Sequence, residues 1–226
     1  MPFVPRFTDG QLMGQPLGKI VCVGRNYAEH AKELNNPVPS APILFIKPAT
    51  SATVLEETVE APFERGDVHF ETELALLIGE TLKEATPESA ERAVVGVGLA
   101  LDLTLRDVQS RLKEKGHPWE IAKGFDGACP LSSFAVLRNI PDWRALRFSL
   151  DIDGERRQTG DSGDMLFAVP ELLAEMSRHF TLSPGDVVLT GTPAGVGPLP
   201  RNAELRLILQ GDDSQAGLDF VTRTGA

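Results

Sequence analysis

The chain has 226 residues and a mass of 24.4 kDa, long enough to bury roughly 70% of its unfolded surface with no need of disulfide or metal staples. Hydrophobic residues at 42% against charged residues at 24% exclude wholesale disorder. A formal net charge of −10 repels phosphate backbones, so nucleic acid is not an expected partner, although a few local cations suffice to admit a small anion to a cleft.

The N-terminus, Met1-Pro2-Phe3-Val4-Pro5-Arg6, has no apolar leader core. No later run approaches the roughly 18 apolar residues of a membrane span. Cys22 lies in the apolar run Ile20-Val21-Cys22-Val23, and with Cys129 it makes no zinc spacing. A cytoplasmic protein with one domain over residues 1–226 is expected.

Strand patterns dominate. Residues 18–24, 43–47, 70–79, 94–103, 146–153, 186–191 and 204–210 are short β-like runs bounded by Gly, Pro or Asp, and Asp153-Gly154 is a hairpin turn. Asn26 with Glu29 reads as a capping pair for a short helix over about 26–35. Thr86, Pro87 and Glu88 open a helix to about Ala93. Thr104 with Asp107 opens another that Gly116 and Pro118 close, and 170–180 is an amphipathic third. Regular βαβ alternation is absent, which points to an α+β fold with a large mixed or antiparallel sheet. Residues 212–226 carry no usable signal.

The densest chemistry is in His69-Phe70-Glu71-Thr72-Glu73-Leu74-Ala75-Leu76-Leu77-Ile78. Residues two apart on a strand share a face, so Glu71 and Glu73 point together while Phe70, Leu74, Leu76 and Ile78 line the other face. At about 7 Å two carboxylates repel by about 0.6 kcal/mol in water and by more in a dry cleft; a cation turns the repulsion into ligation. In Val94–Asp102 one face bears Gly96, Gly98, Ala100 and Asp102, bare enough for another element or a ligand to lie against the backbone. Three oxygen-only anionic ligands suit Mg²⁺ or Mn²⁺. A solvated Glu-x-Glu face and an Asp that precedes a helix explain the same letters, and spacing alone does not bring Asp102 to the glutamates.

His30 and Glu33 share a helical face at i and i+3. A carboxylate beside an imidazole orients it and raises its basicity, as a general base requires; a surface ion pair has the same spacing. So short a helix, followed by Pro37, Pro39 and Pro42, suits a lid over a substrate. Thr190-Gly191-Thr192-Pro193-Ala194-Gly195-Val196-Gly197 lacks the lysine of a P-loop but has backbone N–H groups fit to cradle a carboxylate. Gly160-Asp161-Ser162-Gly163 imitates a serine-protease nucleophile segment and is rejected, since no His/Asp spacing accompanies it.

Six blocks in order, Gly24-Arg25-Asn26-Tyr27 with His30 and Glu33, Phe45-Ile46-Lys47-Pro48, Glu71-Thr72-Glu73-Leu74, Asp102-Leu103-Thr104-Leu105-Arg106-Asp107, Lys123-Gly124-Phe125-Asp126 and Leu189 to Gly197, resemble the fumarylacetoacetate hydrolase family over about residues 18–210. Lys115 to Lys123 is most similar to the acylpyruvate hydrolase and oxaloacetate decarboxylase branch; Leu105 departs from the Ala common there. The resemblance implies a mixed β-roll fold, a homodimer, and Mg²⁺ or Mn²⁺ held by Glu71, Glu73 and Asp102. It implies His30 and Glu33 as a water-activating dyad on a lid, Lys123 beside them, and Arg25, Gln109, Thr192 and Lys47 around a small anionic keto acid. The implied reaction is C–C hydrolysis of acylpyruvates to pyruvate and a carboxylic acid, with oxaloacetate decarboxylation on the same site. Isomerisation or decarboxylation of a 2-hydroxyhepta-2,4-diene-1,7-dioate, or a non-catalytic metal-binding module, are the competing readings.

Overall fold

The computed structural model describes residues 2–136, 143–211 and 217–226. Its frame is an eight-stranded mixed sheet. From one edge the order runs Ile43–Pro48, Lys19–Gly24, Val187–Leu189, Thr72–Ile78, Val94–Leu101, Cys129–Leu131 and Ala52–Val54, with Ala135–Val136 also pairing with Val94–Leu101. Two of these pairings are parallel, Lys19–Gly24 with Val187–Leu189 and Ala52–Val54 with Cys129–Leu131. A four-stranded antiparallel sheet is made of Glu155–Asp161, Arg147–Ile152, Glu204–Gln210 and Leu218–Arg223. A three-stranded patch pairs Gly197–Pro198 and Thr104–Leu105 with Val68–Phe70. Few and short helices against this much sheet make the fold α+β.

Alternation along Thr72–Ile78 divides two cores. Leu74, Leu76 and Ile78 join Val97, Leu99 and Leu101 in the larger one, which also takes Phe148, Leu150, Leu205 and Leu207 from the four-stranded sheet. Ala75 and Leu77 turn the opposite way, into a smaller core with Ile20, Cys22, Cys129, Leu131 and Phe134. The central strand is therefore buried on both faces, not on one. Removing that much apolar surface from water, at about 25 cal/mol per Å², is the main source of stability.

Two long strands expected from the sequence are broken, and the breaks make the site. The run over 70–79 divides into Val68–Phe70 and Thr72–Ile78 at Glu71, and the run over 94–103 stops at Leu101 before Asp102. The bare face at Gly96 and Gly98 is covered by another element: an added Cβ would meet Phe134 Cβ at 3.0 Å or Ser132 Oγ at 2.8 Å.

Three local expectations are corrected. Asn26 caps no helix; Tyr27 holds the N-cap position of Ala28–Glu33 without a side-chain bond. The Asn26 amide instead donates to the carbonyls of Phe167 at 3.1 Å and Thr190 at 2.8 Å and accepts from Phe167 N–H at 2.8 Å. Thr104 belongs to a two-residue strand, and its helix begins later, as Arg106–Glu114. The silent C-terminal stretch contains the strand Leu218–Arg223, while residues 212–216 lie outside the described ones. Thr86 does cap Pro87–Arg92, in a reciprocal box with Ser89, and Asp153-Gly154 turns its hairpin with both residues at positive φ, 50° and 80°.

Candidate active site

Four segments converge where the central strands end. Glu71 and Glu73 come from the central strand's head, Asp102 from the end of its neighbour, Lys123 from the helix Glu120–Lys123, and the Gly191-Thr192 turn follows Val187–Leu189. Glu73 and Asp102 lie on the sheet face that carries the smaller core, so they prolong that core with charge. Ligand atoms of Glu71, Glu73 and Asp102 lie within 4.8 Å of one another, all buried.

Cations answer two of the three acids. Lys123 Nζ donates to Glu71 Oε2 at 2.9 Å and to Asp102 Oδ2 at 2.6 Å. Arg106 pairs through Nη2 with Glu71 Oε1 and through Nη1 with Gln109 Oε1 at 2.7 Å. Lys47, fully buried, pairs with Asp102 Oδ1 at 2.7 Å and donates to the carbonyls of Leu103, Lys123 and Ala128. Burial works against the Glu71 carboxylate, but Lys123, Arg106 and His30 outweigh it and hold its pKa below the usual carboxylate range. For Lys123 burial is likewise outweighed, by Asp102 and Glu71, and the ammonium is held charged.

Glu73 differs. It accepts from Gly191 N–H at 2.5 Å, yet no described cation forms an ion pair with it. Burial first, then Asp102 and Glu71, push its pKa well above the ordinary carboxylate value. A dry carboxylate that no described cation pairs with, beside two others at ligand distance, leaves one donor of the set unanswered. That is the observation on which the residues fit a divalent cation: all-oxygen donors, three of them anionic, suit Mg²⁺ or Mn²⁺. Three acids meet three paired cations here, so a divalent ion would leave the site positive. That is complementary to an anionic substrate, with no help from unpaired cations needed to reverse the sign.

His30 is buried and lines the same cavity. Its Nδ1 faces Glu33 Oε2 at 3.4 Å, and Glu33 Oε1 accepts from Gly195 N–H at 3.0 Å. Burial lowers the imidazole pKa against the opposing pull of Glu71 and Glu33, so the ring is a neutral base near pH 7. With Nδ1–H turned to Glu33, Nε2 is the acceptor. The glycine-rich turn does cradle carboxylates, but its own protein's: Gly191 holds Glu73 and Gly195 holds Glu33.

The structure places the remaining sequence candidates unequally. Arg25, Gln109 and Thr192 line the cavity. Thr192 Oγ1 is engaged with Thr72 O at 2.9 Å, and Gln109 keeps its amide N–H groups available once Oε1 has accepted from Arg106. Lys47 lies behind Asp102, outside the lining. Residues that sequence reasoning passed over include Arg106, Lys113, Phe45 and Trp119 in the walls. The Phe45 ring lies 5.2 Å from Lys123 Nζ and 5.9 Å from the Trp119 ring. Gln158 ties Thr72 N–H at 2.9 Å to Thr192 Oγ1 at 2.8 Å. The i,i+3 spacing of Arg106 and Gln109 was a usable signal; Gln158, in a strand of polar neighbours, gave none. Ser162 of the protease-like segment is buried and accepts from Leu146 N–H at 2.9 Å, a structural duty.

A buried acid triad beside a cavity-lining histidine, at the end of this mixed sheet, defines a class. The model for the C-terminal domain of fumarylacetoacetate (FAA) hydrolase matches residues 19–224, and the chain belongs to that family. Oxaloacetate tautomerase YcgM of Escherichia coli (strain K12) is 50% identical over 204 residues, 90% of this chain and 93% of the relative. The mitochondrial oxaloacetate decarboxylase of Dictyostelium discoideum is 42% identical over 91% of this chain and 94% of its own. Among solved structures, fumarylpyruvate hydrolase from Pseudomonas aeruginosa in complex with Mn²⁺ and pyruvate superposes with a TM-score of 0.86 at 34% identity, covering 99% of this chain and 96% of that one.

Proposed function

We propose that this enzyme interconverts the keto and enol forms of oxaloacetate, a proton transfer at the carbon next to a 2-oxo acid. The observation that carries the reading is His30: a buried, neutral base in a cavity whose floor is the acid triad, fixed on one side by Glu33. The 50% identity to an oxaloacetate tautomerase supports the substrate.

A divalent cation, Mg²⁺ or Mn²⁺, held by Glu71, Glu73 and Asp102 would polarise the 2-oxo group and offset negative charge developing on its oxygen. The protein's own groups do the rest. His30 Nε2 takes a proton from C3 and returns it to the 2-oxygen, giving the enol; the reverse path restores the ketone. Glu33 keeps the ring oriented and stabilises the imidazolium while it carries the proton. Gln109 directs its amide N–H groups at the substrate's oxygens, and the Phe45 and Trp119 rings exclude water from the floor, which strengthens each of these interactions.

Acylpyruvate C–C hydrolysis, the reaction expected from the sequence, is the second reading. The His30–Glu33 pair favours it, since the same base would deprotonate a water aimed at the 4-carbonyl. Oxaloacetate decarboxylation needs the same charge offset at the 2-oxygen but no base at C3. A homodimer and a cytoplasmic location belong to the same reading; the edge strand Ile43–Pro48, with Ile43 to Ile46 only partly buried, supports self-association.

The test is ultraviolet decay of enol oxaloacetate with Mg²⁺-loaded protein. Catalysed decay that falls about 100-fold or more in His30→Ala supports the reading, the range for loss of a general base. Decay no faster than in buffer, alongside turnover of acetylpyruvate, moves the assignment to the hydrolase.

A further inference from the structure

We infer that Lys113, with Arg25, recognises a second carboxylate on the substrate, so that the cavity selects four-carbon 2-oxo diacids over 2-oxo monoacids. The inference rests on the proposed reading only in placing the 2-oxo acid head at the triad.

The cations of the cavity fall into two groups. Lys123 and Arg106, with Lys47 behind them, are committed to Glu71 and Asp102. Arg25 and Lys113 line the same cavity, and among the described residues neither forms an ion pair with a carboxylate. Lys113 Nζ has a neutral partner instead, Asn36 Oδ1 at 3.1 Å, and Asn36 is also a lining residue. Burial and the nearby positive charges of Arg25 and Arg106 all disfavour its charged form. Two unanswered like charges at one rim cost free energy in the free protein, and an anion relieves it.

The helix Arg106–Glu114 supplies the spacing. Arg106, Gln109 and Lys113 fall at i, i+3 and i+7, one face of a helix. Arg106 sits against the triad, Gln109 in the middle and Lys113 at the rim, about 10 Å further along the axis. Side chains converging from that face read a substrate along its length: acid head at the floor, reacting carbon beside His30, second carboxylate at the rim. Arg25, also in the lining and near enough for its charge to act on Lys113, is the second cation available to that carboxylate. Its φ of 60° is left-handed backbone that a non-glycine residue rarely holds without compensation. An acylpyruvate ending in a methyl group would present hydrocarbon to both cations.

Calorimetric titration of Mg²⁺-loaded protein with L-malate and L-lactate tests this without turnover. The two ligands share a 2-hydroxy acid head, and only malate has a second carboxylate. Wild type is expected to bind malate about tenfold more tightly. Lys113→Met should bring that ratio to within twofold of unity, and Lys113→Arg should keep most of it. A ratio unchanged in Lys113→Met, or an equal loss for both ligands, overturns the inference. If malate preference behaves as expected while enol oxaloacetate is not turned over, the proposed activity fails and the recognition of a second carboxylate stands.

Discussion

Glu71 and Asp102 face each other across the point where their strands both leave the ladder: Asp102 N–H donates to Glu71 O at 2.8 Å, one step beyond the Thr72–Leu101 pair. That single backbone bond sets two carboxylates, 31 positions apart by their numbers, side by side at the edge of a dry core. Glu73, opposite Ala100, completes the group because the neighbour across from it is too small to fill the space.

Glu73→Gln should act with opposite sign on the metal-free and metal-loaded protein. A carboxyl whose folded pKa is raised costs stability above its unfolded value, so the substitution stabilises metal-free protein at neutral pH. The gain should fade as pH falls toward the ordinary carboxylate range, where the wild-type group is protonated in both states. A rise in Tm of about 2–4 °C in EDTA corresponds to about 1 kcal/mol in a chain this size. Added Mg²⁺ or Mn²⁺ should raise the wild-type Tm and leave the variant unmoved; a variant that still gains stability from the ion would remove Glu73 from the ligand set.

Lys47→Met tests whether this cation is support for Asp102. Removing one partner of a buried ion pair costs about 3–5 kcal/mol when the other is left unpaired. Here Asp102 keeps Lys123, but its Oδ1 loses a cation and the Leu103, Lys123 and Ala128 carbonyls lose their donor, so a loss toward the lower end of that range is expected. Urea denaturation of metal-free protein should show that loss. A change below about 1 kcal/mol would mean that Lys123 alone suffices for Asp102 and that Lys47 is not its support.

Much of this site was legible in the sequence because strand periodicity is local. Period two put Glu71 with Glu73 and emptied the face before Asp102, and i,i+3 spacing put His30 with Glu33. What spacing does not contain is a long-range pairing, so the meeting of Asp102 with the glutamates rested on resemblance until the register showed it. Asn26 misled for a related reason: Asn before a helical run is a capping signal, but here tertiary partners at Phe167 and Thr190 took its side chain. Leu218–Arg223 escaped notice because its alternation buries Phe220 and Thr222 and exposes Val221, which mixes polar with apolar on both faces.

Gly191→Ala should weaken both the fold and the metal site. Gly191 has φ of 94°, and a Cβ there would lie 2.7 Å from Asn26 Cβ. Strain of that kind costs about 1–3 kcal/mol, and relieving it moves the N–H that holds Glu73 and the Thr190 carbonyl that anchors Asn26. Calorimetry should show metal affinity falling about tenfold or more together with Tm. Lost stability with unchanged metal affinity would separate the turn from the ligand set.

The pH dependence of kcat/KM should report His30. The reaction needs the neutral ring, and burial sets its pKa below the ordinary 6.5, so the midpoint of the acid limb should lie below pH 6.5. Glu33 pulls the other way, raising that pKa by its hydrogen bond and charge. Glu33→Gln should therefore move the acid limb to still lower pH while cutting the plateau about tenfold or more, because a ring without its carboxylate is a weaker and less oriented base. Profiles of wild type and variant, measured with enol oxaloacetate between pH 5 and 8, check both signs together. An acid limb that moves upward in Glu33→Gln would show that the titrating group is not His30.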